Sequence, residues 1–289
     1  MKGKLSIFFY NLFKFIAKSL PRRHAYIIGV IIARLAYLIT PERRRKTRSN
    51  IEKALGVSEE EAARLTKEVY KNLGFDFAEF LLEDELTKED IDQMVDFIDL
   101  DYLDQALEKG NGVILYTAHF GNWELLGAVL ALKGYKINSI AREQNNLLFD
   151  KKINKIRREL GIGIIPKGLA VRQAFKTFKK KENVAILGDQ DARSSGWKLD
   201  FFDRPASTYP GAVQFAARTG AEIVPGFFSR KGWLEHQFKC YPPRKIRKGS
   251  TKEDLKSELQ SLLNLTEEEI KKSPADWMWL HKRWKTYDK

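Results

Sequence analysis

The 289-residue sequence predicts an α/β protein with a central, mostly buried mixed sheet flanked by helices, preceded by N-terminal membrane-anchoring helices. Three observations lead there. From residue 112 onward, short runs of β-forming residues alternate with helical patterns, as in a layered α/β core. Between residues 58 and 82, apolar positions recur every three or four residues, as in a helix packed by one face. Residues 1–50 combine basic charge with two long aliphatic stretches.

Those stretches come first along the chain. Segment 5–20 contains Lys14 and Lys18 and stops at Pro21, while segment 25–39 has Arg34 inside it. A membrane span needs roughly 20 mostly apolar residues, so both read as helices lying at or dipping into an interface. Together they form an anchor over residues 1–40, and residues 41–289 form one globular domain. A signal peptide would share the basic start, but lysines interrupt the apolar run and no small-residue cleavage site follows.

Ser58-Glu59-Glu60-Glu61 is a capping-box start for a helix reaching Leu82, with Ala62, Leu65, Val69, Leu73, Phe77 and Phe80 on its apolar positions. Thr87 with Asp90 marks another helix start, and a short helix from Tyr102 ends at Gly110. Residues 112–117 read as a buried strand, 123–132 as a helix stopped by Gly134, and 136–141 as a second strand. A basic helix covers 146–160. Further strands fall at 162–165, 184–187 and 223–228, with helices at 168–181, 210–219 and 251–272.

The net charge of +13 divides unevenly: +11 over residues 1–50, −12 over 51–104 and +14 over 105–289. Basic charge beside apolar surface suits an anionic membrane, because headgroup attraction and burial add. A nucleic-acid partner would also explain a high pI, and the aromatic, basic tail could serve it. It leaves the aliphatic runs unexplained, so no nucleic acid is expected. The single cysteine, Cys240, excludes a disulfide framework and a cysteine-based zinc cluster. There is no G-x-S-x-G elbow, no phosphate-binding P-loop and no H-E-x-x-H, and Gly161-Ile162-Gly163 precedes a strand rather than following one. No metal is expected.

The segment that carries chemistry is Thr117-Ala118-His119-Phe120-Gly121-Asn122-Trp123-Glu124, where a strand ends and a helix begins. On a regular helix, residues five apart would lie about 140° from each other, so His119 and Glu124 can meet only across a bend. Gly121-Asn122 allows one. A carboxylate hydrogen-bonded to one imidazole nitrogen fixes the tautomer and leaves the other nitrogen as a base. That base can take a proton from a hydroxyl, which then attacks a thioester carbonyl, so no protein nucleophile is required. His119 and Glu124 are therefore the expected catalytic pair. Asn122 is expected against substrate. Arg142 follows a strand, as a cation aimed at phosphate or a developing oxyanion would. Asp189 and Gln190 end a buried strand and are expected in the pocket. Arg193 and Arg158 are further candidate substrate-binding cations.

His119-Phe120-Gly121-Asn122-Trp123-Glu124 resembles the histidine, four residues, acid motif of the lysophospholipid acyltransferase superfamily. Three further stretches narrow the resemblance to the lauroyl/myristoyl acyltransferases of lipid A biosynthesis: Leu187-Gly188-Asp189-Gln190-Asp191, the stretch from Phe201 to Thr208, and the tail from Trp277 to Lys285. The likeness begins at Pro21-Arg22-Arg23 and Arg48-Ser49-Asn50-Ile51 and covers nearly the whole chain. It implies a glycerolipid acyltransferase-like fold and transfer of a fatty acyl chain to a hydroxyl of a glycolipid such as a lipid A precursor. The donor would be a thioester of acyl carrier protein or coenzyme A, with no other cofactor. The place would be the cytoplasmic face of the inner membrane, with the protein peripheral or monotopic. Acylation of a phosphatidylinositol mannoside, or a catalytically silent lipid-binding relative, are the alternatives. One departure stands out: family members commonly carry glycine where this chain has Asp203, which puts the loop around the site in question.

Overall fold

The computed structural model describes residues 2–141, 143, 146–166 and 170–288. A seven-stranded sheet lies at its centre, in the order β1-β9-β8-β2-β5-β3-β4. These strands are β1 (Val95–Ile98), β2 (Val113–Thr117), β3 (Ile137–Ala141), β4 (Gly163–Pro166), β5 (Asn183–Leu187), β8 (Glu222–Arg230) and β9 (His236–Cys240). β2 runs parallel to both β5 and β8, and β3 runs parallel to β4 and β5. β9 is antiparallel to β8 and parallel to β1, so the sheet is mixed. Every residue of β2 is buried, which is why its sequence is a continuous apolar run rather than an alternation.

Helices α6 (Asp101–Glu108), α7 (Trp123–Leu132), α8 (Leu147–Glu159), α9 (Ala170–Lys179), α10 (Gly211–Thr219) and α11 (Lys252–Lys272) follow α1 (Lys2–Lys18), α2 (Arg22–Ile39), α3 (Pro41–Leu55), α4 (Glu59–Leu82) and α5 (Lys88–Met94). Thr87 with Asp90 forms a capping box, whereas at Ser58 half of one forms: its hydroxyl accepts from the Glu61 N–H, and the Glu61 carboxylate turns to Arg64. Four strands escape the sequence reading. β1 and β9 lie at one side of the sheet and interleave Asp96, Gln237 and Lys239 with apolar residues. The hairpin of β6 (Trp197–Phe201) and β7 (Arg204–Thr208) stands apart from the main sheet.

The N-terminal helices pack on the domain instead of trailing from it. Ala25, Tyr26, Val30 and Ala33 of α2 are buried, and the α2 and α4 backbones touch at Gly29 and Gly74. A Cβ on Gly29 would lie 2.1 Å from the Gly74 carbonyl oxygen, so neither position admits a side chain. Their other faces are exposed: Phe8, Phe15, Ile31, Leu35, Leu38 and Ile39 are each at least half exposed. Among the described residues no single helix is long and apolar enough to cross a membrane; α2 and α3 have the composition together but are bent by 95° between them.

The C-terminal tail is core. Trp277, Trp279 and Trp284 are buried, with the first two rings edge to face at 4.6 Å, and buried Arg283 donates to the Ser207 carbonyl and the Thr208 hydroxyl. Indoles held this way are not free to stack on nucleic-acid bases.

Asp203 also finds its place. Phe201 pairs with Arg204, so the β6–β7 loop has two residues, Phe202 and Asp203, at φ 54° and 53°. That is the conformation of a type I′ hairpin turn, which favours glycine. Aspartate tolerates it better than most residues but still carries a Cβ. Asp203→Gly is therefore expected to raise the unfolding free energy by about 1 kcal/mol, read from urea denaturation.

Candidate active site

The sheet register builds the site. Thr117 of β2 is paired with Leu187 of β5, so two residues beyond each strand end lie His119 and Asp189. The Asp189 carboxylate is 2% exposed and accepts three hydrogen bonds. Its Oδ1 takes the His119 Nδ1–H at 2.8 Å, and its Oδ2 takes the His119 backbone N–H at 3.0 Å and the Trp277 indole N–H at 2.7 Å. Burial alone would push this carboxyl up. The facing imidazole and the donated hydrogen bonds outweigh it and hold the group at about 2. With Nδ1 donating, Nε2 carries the lone pair, and the Gln190 amide nitrogen donates to it at 2.8 Å. Asp189 and Gln190, expected in the pocket, thus meet His119 directly.

The loop is held on its far side by the tail. Met278 N–H donates to the His119 carbonyl, Gly121 N–H donates to the Asp276 carbonyl, and Phe120 bridges to Trp277. Gly121 has φ 56°, and a Cβ there would sit 1.9 Å from the Phe228 carbonyl oxygen. The bend needs glycine for two independent reasons.

The expected bond between His119 and Glu124 is replaced. The carboxylate on Nδ1 is Asp189, and Glu124 is held by Arg157 of α8 through two bonds of 2.6 and 3.1 Å. Glu124 is the second residue of α7, just past the cap, and its side chain reaches α8, whereas the His119 ring turns toward the end of β5. Asn122 is also engaged within the fold. It is 4% exposed, and its amide is spent on structure: Oδ1 caps α7 by accepting from Leu125 N–H, and Nδ2 donates to Glu79 at 2.8 Å.

Glu79 is itself a buried hub. It accepts from Tyr26 of α2, Asn122, both Arg230 Nη groups and His236 Nε2, at 2.7–2.9 Å. Burial would raise its carboxyl, but His236 and Arg230 more than reverse that and keep it ionised. Arg230 reaches Asp76 too, and its backbone N–H donates to Asp276, which joins α4, β8 and the tail beneath the bend. Arg142 lies outside the described residues. Arg158 is exposed on α8, one position off the face that meets Glu124, and Arg193 is exposed in a short turn after β5.

Sequence reasoning missed Arg157, Glu79 and Trp277 as site-shaping residues. Arg157 was legible, since it follows Ile153 by four residues on the inward stripe of α8. Glu79 likewise interrupts the buried Phe75, Ala78 and Leu82 face of α4. His281, also missed, accepts from the Asp191 N–H, and burial pushes its imidazole down. Among the described residues no group of three or more His, Cys, Asp or Glu side chains could hold a metal ion.

A family model of bacterial lipid A biosynthesis acyltransferases matches residues 2–286. The chain belongs to that family. It is 23% identical over 278 residues to the lipid A biosynthesis palmitoleoyltransferase of Escherichia coli, covering 93% of this chain and 87% of that protein. It is 27% identical over 191 residues to the phosphatidylinositol mannoside acyltransferase of Mycobacterium tuberculosis, covering 64% of this chain and 58% of that protein, so the match spans less than two thirds of the mycobacterial enzyme. The crystal structure of the 1-acyl-sn-glycerophosphate acyltransferase of Thermotoga maritima superposes with a TM-score of 0.40 at 15% identity, over 87% of this chain and 99% of that one.

In this family member the motif acid has a buried neighbour with a testable charge. Glu83 is 2% exposed, and burial, then the Glu124 carboxylate, push its carboxyl up to about 8, against the pull of Arg157. Burial also raises Asp76 to about 7 and Asp276 to about 6. A carboxyl raised in the folded state binds its proton there but not in the unfolded chain, so stability falls as pH rises between the two values. Glu83→Gln should flatten part of that slope, its unfolding free energy gaining on wild type by a few kcal/mol, to order of magnitude, from about pH 5 to about pH 8. Denaturant melts across that range measure it.

Proposed function

We propose that the protein is a membrane-associated acyltransferase that moves a fatty acyl chain from acyl carrier protein or coenzyme A to a hydroxyl of a glycolipid. The observation that carries this reading is the orientation of His119, with Nδ1–H fixed on buried Asp189 and the Nε2 lone pair turned to Gln190. The Gln190 amide occupies the position that an acceptor hydroxyl would take. His119 Nε2 removes the hydroxyl proton as the oxygen bonds to the thioester carbonyl carbon. The carbon–sulfur bond then breaks, and the proton leaves with the thiol. Asp189 stabilises the imidazolium in between. Glu124, pinned by Arg157, serves the site as part of its fixed charge rather than on the imidazole. The tautomer fixed by Asp189, with the Nε2 lone pair on Gln190, favours this reading over a catalytically silent relative.

A lipid A precursor is the acceptor that family membership favours. The mycobacterial match favours, as a second reading, a phosphatidylinositol mannoside. The two separate by mass spectrometry of products formed from each acceptor. The exposed apolar faces of α1 and α2, in a segment of charge +11, support a place at the cytoplasmic face of the inner membrane.

His119→Ala should lower turnover of labelled acyl donor by about 10²–10⁴-fold, the usual worth of a general base. Asp189→Asn should approach the same loss, because it releases the tautomer. Adding it to His119→Ala should cost little more, since members of one catalytic unit are not additive. Glu124→Gln should cost less than either. Circular dichroism confirms folding, and a folded His119→Ala protein within about threefold of wild type would place the base elsewhere.

The donor leaves a separate signature. The +14 over residues 105–289 should steer an acidic carrier protein, and salt screens such steering. Donor KM with acyl carrier protein is expected to rise between low and physiological ionic strength, and less so with coenzyme A. An equal dependence for both donors would speak against carrier docking.

A further inference from the structure

Exposed apolar surface does not end with the N-terminal helices. In the first turn of α8, Leu147 is 56% and Leu148 44% exposed, just after the capping Asn146. Scattered single leucines on a surface are ordinary, whereas contiguous ones mark an interaction site. The turn that carries this pair packs beside α1. Phe149, the next residue, meets Tyr10 of α1 edge to face at 6.0 Å, and the Lys152 ammonium lies 5.7 Å above the same ring. Ile156, one face along, is buried in the cluster that contains Tyr10 and Ala17 of α1. The start of α8 is thereby fastened beside α1, whose outer face presents Phe8 and Phe15.

We propose that the first turn of α8 is a second lipid-contacting element, which with α1 seats the candidate site on an anionic bilayer. Residues 147–158 carry five bases against Asp150 alone, and exposed Lys151 follows Leu147 by one helical turn, on the same face. Apolar side chains flanked by lysines match the acyl–headgroup boundary of an anionic leaflet. An acidic carrier protein would engage the lysines, but Phe8 and Phe15 exposed on neighbouring α1 add apolar surface that a bilayer covers together with the leucines, so lipid is the occupant. At its other end α8 clamps Glu124 through Arg157. Ten residues of helix separate Leu147 from Arg157, about 15 Å of rise, which sets how far the motif acid stands from the lipid contact.

The proposal rests on the membrane-associated reading above, and the test separates the two. Wild type and a Leu147→Ser/Leu148→Ser variant are sedimented with mixed phosphatidylethanolamine–phosphatidylglycerol vesicles. The variant is expected to bind about tenfold or more weakly, the effect of withdrawing two leucines from lipid, with unchanged circular dichroism. An independent measurement uses Leu148→Cys labelled with an environment-sensitive dye. Cys240 is fully buried and does not compete for the label. The dye should brighten and shift to the blue on adding the same vesicles. Equal vesicle affinity of variant and wild type, or an unresponsive dye on bound protein, overturns the α8 contact alone. Wild type that fails to bind vesicles overturns the membrane reading and the contact with it. A variant that binds vesicles normally but has a raised KM for acyl carrier protein assigns the leucines to the carrier and overturns the lipid assignment.

Discussion

The buried Asp189 carboxylate is the constraint around which the site is assembled. It gathers donors from His119 and from Trp277, so the end of β5, the loop after β2 and the C-terminal tail all close on one charge. An ionised carboxylate in a dry interior is costly unless its oxygens are satisfied. Here the satisfaction comes from the groups whose placement the chemistry requires. The imidazole cannot rotate without uncovering the charge, and the tail cannot detach without removing the indole. Orientation and stability are the same interaction.

Glu79 extends this logic away from the reacting nitrogen. Its oxygens bring Tyr26 of α2, Asn122 at the head of α7, and Arg230 and His236 of the sheet into one cluster. Removing one partner from such a cluster leaves an uncompensated buried charge, which is far more destabilising than the pair is stabilising. The helix whose outer face is apolar is therefore tied, through a single side chain, to the cap of the helix that carries Glu124. A second link runs through α8, from its exposed leucines to Arg157.

Membership of the lipid A biosynthesis acyltransferase family agrees with this arrangement without explaining it. The family motif identifies a histidine and an acid five residues on. In this chain the acid is the partner of an arginine, and the carboxylate that orients the histidine comes from seventy residues away. A short motif thus marks a loop whose geometry is completed by elements far along the chain. The buried tail belongs to the same design, since Met278 and Asp276 hold the backbone on either side of the bend.

What the sequence determined by itself is local. Alternation of apolar runs and helical periodicity settled the central strands β2, β3, β5 and β8 and the helices between them. Cap residues marked the starts of α4 and α5, and the run from Thr117 to Glu124 marked the bend. Strands β1 and β9 are only four and five residues long, so their alternation of apolar with polar residues did not stand out from the sequence around them. Nor was the partner of His119 legible. Spacing along the chain suggested Glu124, but which carboxylate reaches Nδ1 is decided by strand register, and the pairing of Thr117 with Leu187 is a contact between segments that share no local signal. The same holds for the indoles of the tail: composition shows that aromatic surface exists, and only packing decides that it is turned inward.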